Sequence, residues 1–138
     1  MTPTQKDKLL RISLIAFGVI FCLVYPLGMV WPSGWVWHGG HGQYYLQMIC
    51  GLYAVLGIFL ILAARDPENN RSLVSFTIWS SVVHAGIMAA QVIYDGHEMG
   101  HLTGDVPALL LVAAVLGYLS PSSRQSSSVS HPSAQPAR

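Results

Sequence analysis

Arg71-Ser72-Leu73-Val74-Ser75-Phe76-Thr77-Ile78-Trp79-Ser80-Ser81-Val82-Val83-His84-Ala85-Gly86-Ile87-Met88-Ala89-Ala90-Gln91 is the stretch whose reading decides the fold. It is apolar and long enough to cross a bilayer, which takes roughly 20 residues of helix. Yet Thr77, Ser81, His84 and Gln91 interrupt it, and with Met88 and Asp95 they recur at steps of four, three, four, three and four. That spacing puts them all on one helical face. Polar groups in hydrocarbon are costly, so this face looks into protein or a wet cavity.

Working outward, Arg65-Asp66-Pro67-Glu68-Asn69-Asn70 precedes the stretch as a polar turn, whose proline cannot continue a helix. Before it, Tyr44 to Ala64 is another apolar run, with Gly51, Ala54 and Gly57 forming a small-residue strip that lets a second helix approach closely. On the far side, Asp95 to Gly104 reads as a loop rich in Gly and His. Asp105 then stands as a natural N-cap, with Pro107 in the first turn, opening a last apolar run to Leu119. That run is short, about fifteen residues, so it is either little tilted or begins in the headgroup zone.

The chain starts with Lys6, Lys8 and Arg11 ahead of and within a run from Leu9 to Val30. A signal peptide also starts this way, but the run is long for a signal core and no Ala-x-Ala-like cleavage site follows, so it reads as a retained span. Tyr25-Pro26 and Gly28 mark a kink or a last turn. Trp31 to Gln43 is a Gly/Pro-broken loop whose tryptophans, with Tyr44 and Tyr45, form an interfacial aromatic belt. From Ser120 on, the composition is Ser, Pro, Gln and Ala without period. The expected organisation is a polar leader at 1–8 and a membrane domain at 9–119, then a disordered Ser/Pro-rich tail at 120–138. The four spans fall at about 9–30, 44–64, 72–94 and 105–119.

Composition agrees. Of 138 residues 52% are apolar and 9% charged, against roughly a quarter charged in soluble domains. The formal net charge is +1 and there is no basic stripe, so nucleic acid is excluded as a partner. Cys22 and Cys50 both lie in apolar runs and make neither a disulfide framework nor a short-spaced metal pair; they read as small packing residues. All seven basic residues fall on the leader, the second connection or the tail, and the other two loops have none. By the positive-inside bias both termini face the cytoplasm. The expected fold is all-α, an antiparallel four-helix transmembrane bundle in which sequential spans are neighbours.

Two groups of residues carry candidate chemistry. His97-Glu98-Met99-Gly100-His101 matches the H-E-x-x-H pattern, in which two His one helical turn apart hold zinc and the Glu activates water. That mechanism needs a stable helix, and Gly96, Gly100 and Gly104 punctuate this one, so a membrane metalloprotease is a remote variant. A metal site without proteolysis would draw on His38, His41, His97, His101 and Asp105 from the two outer loops, a set suited to zinc, copper or nickel. The second group is the face around His84, an ionisable group near mid-membrane. It suits a ligand such as a quinone, a proton relay, or a hydrogen bond across the bundle to Ser, Thr, Tyr53 or Gln47. Bis-His haem would need a second in-membrane His, and no other span has one.

The runs Gly51-Leu52-Tyr53-Ala54-Val55-Leu56-Gly57-Ile58-Phe59 and Ala63-Ala64-Arg65-Asp66-Pro67, then Arg71-Ser72-Leu73, Trp79-Ser80-Ser81, His84-Ala85, Met88 and His101-Leu102-Thr103-Gly104-Asp105-Val106-Pro107-Ala108, have a wider bearing. They resemble an uncharacterised family of small bacterial four-span membrane proteins, a domain of unknown function. The resemblance covers roughly residues 9 to 119. It implies the bacterial cytoplasmic (inner) membrane and brings no activity.

The expected function is therefore that of a non-enzymatic integral membrane protein. Its intramembrane seam of Thr77, Ser81, His84, Met88 and Gln91 binds a small amphiphile or packs against a partner subunit, of the same or another chain. The alternative is the metal-binding reading through the outer-loop histidines. No residue is assigned to catalysis and no cofactor is assigned.

Overall fold

A computed structural model describes residues 1–30 and 42–120, apart from the side chains of Gly42, Gln43 and Glu98. The expected aromatic loop lies outside the described residues but for Gly42 and Gln43, which open a helix, and the expected disordered tail lies outside them but for Ser120. The described chain is all-α, without a strand: α1 (Pro3–Cys22), α2 (Val24–Val30), α3 (Gly42–Ala63), α4 (Arg71–Tyr94), a 3₁₀ segment (Gly96–Leu102) and α5 (Asp105–Leu119).

The polar leader is already helical. Thr2 accepts from the Gln5 amide at 3.3 Å while the Gln5 side chain accepts from the Thr2 amide at 2.9 Å, a reciprocal capping box with Pro3 at the first helical position. The first apolar run is not straight, since α1 and α2 meet at an angle of 61° around Leu23. Pro26 accounts for the break. It has no amide hydrogen, and its ring would clash with the carbonyl of Cys22, four residues back.

Three helical stretches are long and apolar enough to cross a membrane, Tyr44–Ala63, Arg71–Tyr94 and Met99–Leu119, and the bent α1–α2 pair makes a fourth if it counts as one span. The last is longer than the run expected from sequence, because the 3₁₀ segment leads into α5. Gly104, not Asp105, is the N-cap of α5, and it makes no side-chain cap. Asp105 is the first helical residue, its carboxylate drawn back to His101 at 2.7 Å.

α1 packs chiefly on α3 and α4 on α5, with α1 also against α5; α3 and α4, though consecutive, meet at few points. The α1–α3 contact is set by two glycines. A Cβ on Gly18 would lie 2.6 Å from Ile61 Cγ1 and 2.7 Å from the Gly57 carbonyl oxygen. One on Gly57 would strike the Gly18 carbonyl oxygen and come within 2.8 Å of Cys22 Sγ. The Cys22 thiol donates to the Ala54 carbonyl at 3.5 Å, so Cys22 is part of this packing. Gly51, by contrast, has open space at its Cβ position. At the end where α3 stops, the Arg11 guanidinium donates to the carbonyls of Ala64 (3.0 Å) and Arg65 (2.6 Å). It thereby ties α1 to the negative end of α3.

Leu14, Leu60 and Leu116 are fully buried and join Leu10, Val74 and Val112 in one cluster drawn from α1, α3, α4 and α5. A smaller cluster, Ala85, Val106 and Leu109, joins α4 to α5 further along, with Tyr53 and Met88 against it. Large apolar side chains cover the outside. Trp79 (66% exposed), Leu52, Phe76 and Leu111 all point away from the helices, an arrangement unsuited to water and suited to lipid.

Candidate functional site

The face expected on α4 forms in its first part. Thr77 is fully buried and back-bonds to the Leu73 carbonyl at 2.9 Å, and Ser81 is buried one turn on. His84 is half-buried, its Nδ1 2.6 Å from the Tyr53 hydroxyl of α3. Tyr53 is therefore the partner His84 takes among those open to it. The same ring meets Phe21 of α1 edge-on, at 5.0 Å between centroids. Met88 is half-buried against the smaller apolar cluster. Gln91 is exposed, and Asp95, exposed as well, accepts from the His97 backbone amide at 2.9 Å. The inward face thus runs from Thr77 to Met88 and stops there.

A second polar pair lies beside the first. His101 Nδ1 is 2.7 Å from Asp105 Oδ2, and both residues are buried. They come from the end of the 3₁₀ segment and the first residue of α5, and both act electrostatically on His84. Asp105 acts on Tyr53 too. Tyr53, His84, His101 and Asp105 therefore form one neighbourhood built from four elements. Asp105 Oδ1 is buried there without a side-chain partner, and besides His101 the backbone amides of Asp105 and Val106, at the start of α5, face the carboxylate.

The outer-loop set is divided. His97 and His101 sit on a 3₁₀ segment, where a step of four residues turns the side chain by roughly 120°, against roughly 40° on an α-helix. His97 accordingly faces out and His101 in, which is not the one-faced pair that H-E-x-x-H chemistry requires. His38 and His41 lie outside the described residues. Among the described residues no group of three or more His, Cys, Asp or Glu side chains could hold a metal ion. Sequence reasoning placed His101 in a loop and Asp105 at the start of the last span, and missed their meeting with His84. The signal was their spacing of four, which lets side chains meet on a helical turn.

In chemical terms the neighbourhood is a small set of donors and acceptors against apolar walls. When Tyr53 donates to Nδ1 of a neutral His84, Nε2 carries the hydrogen and is a donor. Asp105 Oδ1 is an acceptor without a side-chain donor. Such a set is chemically complementary to a polar head on an apolar body.

A family model, the family of unknown function DUF6632, matches residues 4–135, and the chain belongs to that family. No curated protein and no solved structure matches it.

Proposed function

We propose that this chain is an antiparallel four-helix bundle of the bacterial cytoplasmic membrane, both termini in the cytoplasm, that binds a small amphiphilic molecule without transforming it. The polar face of α4 and the His101–Asp105 pair hold its head, and Met88, Val106 and Leu109 meet its body. The observation that carries this reading is the 2.6 Å Tyr53–His84 bond near a buried carboxylate oxygen without a side-chain donor. A hydrogen-bonded core histidine alone needs no such neighbour, whereas a buried carboxylate oxygen without a side-chain donor costs free energy that a donor on a ligand would recover. Burial of Thr77 and Ser81 inside the chain favours a small ligand over a partner subunit, which would need those hydroxyls on the surface.

The test is mass spectrometry of organic extracts from protein purified in mild detergent, wild type beside His84→Ala, Asp105→Asn and Gln91→Ala. One amphiphile is expected to copurify near stoichiometrically, to fall about tenfold in the first two variants, the scale of one lost buried hydrogen bond, and to persist in the third. An identical extract from all four proteins would sink the reading.

A further inference from the structure

The opposite end of the helices holds a cavity of about 310 Å³, within the size range of small-ligand sites. Leu10 of α1, Pro67 of the connecting turn, and Val74 and Ile78 of α4 give it apolar walls. Arg71, Ser75 and Ser120 supply its polar groups. It shares no residue with the neighbourhood of His84.

Three observations give the polar part a preference for negative charge. Arg71 has five N–H donors, and its bond to Glu68, at 3.3 Å between exposed side chains, engages one of them. Asn70 places no side-chain cap on the first amides of α4, so the positive end of a 24-residue helix is open beside Arg71. Ser120, which also lines the cavity, has a buried Oγ with no hydrogen-bond partner, a hydroxyl free to donate.

The apolar walls decide which anion. Leu10 and Val74 are already buried, but Ile78 is only partly covered; an inorganic phosphate would leave it against water, whereas the glycerol and upper acyl chain of a lipid would cover it. Arg71 is also the first residue of a candidate span, which sets the cavity at the depth where headgroups lie. We propose that the cavity holds the phosphate of an anionic phospholipid, bound by Arg71, the first turn of α4 and Ser120, with the acyl chain leaving along Val74 and Ile78. Glu68 works against this binding and weakens it.

The experiment places the full chain in phosphatidylcholine nanodiscs with increasing phosphatidylglycerol and counts retained lipid by native mass spectrometry. Wild type is compared with Arg71→Gln, Ser75→Trp and Glu68→Gln, with helicity followed to show that each is folded. One phosphatidylglycerol is expected on wild type. Its affinity falls about tenfold in Arg71→Gln, the scale of one charge-assisted contact. Binding is lost in Ser75→Trp, whose indole fills the cavity, and rises a few-fold in Glu68→Gln. Wild-type retention in folded Arg71→Gln and Ser75→Trp would overturn the proposal. So would displacement by inorganic phosphate as effective as by added phosphatidylglycerol, which would assign the cavity to a free anion.

Discussion

Where α1 and α4 begin and α3 and α5 finish, leucines from three helices and Val74 close into one layer, and Arg11 fastens α1 to the last carbonyls of α3. Toward the other end of α4 the apolar cluster shrinks to Ala85, Val106 and Leu109, and the hold passes to two polar pairs, Tyr53–His84 and His101–Asp105. Both ends fill their interior, but with different currencies. A leucine layer is stable and chemically silent. Side-chain hydrogen bonds between membrane helices average about 0.6 kcal/mol, so the second end contributes less stability and offers groups that can exchange partners. Binding sites belong to such low-stability regions. The sparse α3–α4 contact sharpens the point, since Tyr53–His84 is one of the few ties across it.

The comparison can be broken most forcefully at the contact both ends depend on. Gly57→Ala should cost about 3 kcal/mol, because its methyl meets the Gly18 backbone, which has no room to yield; unfolding in detergent with a denaturant series would read this. Gly51→Ala, with open space at the same atom, should be close to neutral. At the leucine end, Arg11→Met keeps the aliphatic stem but frees two carbonyls, for an expected loss of about 2 kcal/mol in the same assay. At the polar end, Tyr53→Phe removes one hydroxyl and should cost only about 1 kcal/mol. A loss from Tyr53→Phe larger than that from Arg11→Met would reverse the assignment of stable and labile ends.

The smallest effect concerns acid. Hydrogen bonds from the Asn69 side chain and backbone hold the Asp66 carboxyl below its usual value of 3.8. A depressed carboxylate stabilises the fold above its unfolded pKa, and this contribution fades as the pH falls through the folded value. Wild type should therefore exceed Asn69→Ala in thermal midpoint at neutral pH, and the gap should close below about pH 4. The site is exposed, so the gap is small from the start. A gap that widens in acid would show that Asn69 acts through some other contact.

Much of this was legible from hydrophobic pattern alone. The apolar runs became helices, and the 3.6-residue period turned Thr77, Ser81, His84 and Met88 inward. The period cannot say where a face stops being covered, which is why Gln91, in perfect register, is exposed. The small-residue strip likewise announced a close approach without choosing the glycine. Gly57 is used and Gly51 is not, and Gly18, which completes the contact, stood unremarked in an apolar run. The His101–Asp105 pair was hidden by its glycines. Gly96, Gly100 and Gly104 read as a loop, yet the segment winds into a 3₁₀ turn led by Asp95 and continues to α5. Which residues meet across helices is a tertiary fact, and a single chain's pattern carries little of it.

The brevity of α5 has a further consequence. Its 15 residues rise roughly 22 Å, against a hydrocarbon layer of about 30 Å. The Met99–Leu119 stretch covers the remainder only by counting the 3₁₀ turn, and with it His101 and Asp105. A bilayer that met α5 at full thickness would have to reach the 3₁₀ turn that carries that pair. A bilayer around this chain is therefore expected to be thinner beside α5 than beside the 24-residue α4, and thinnest near the His101–Asp105 pair.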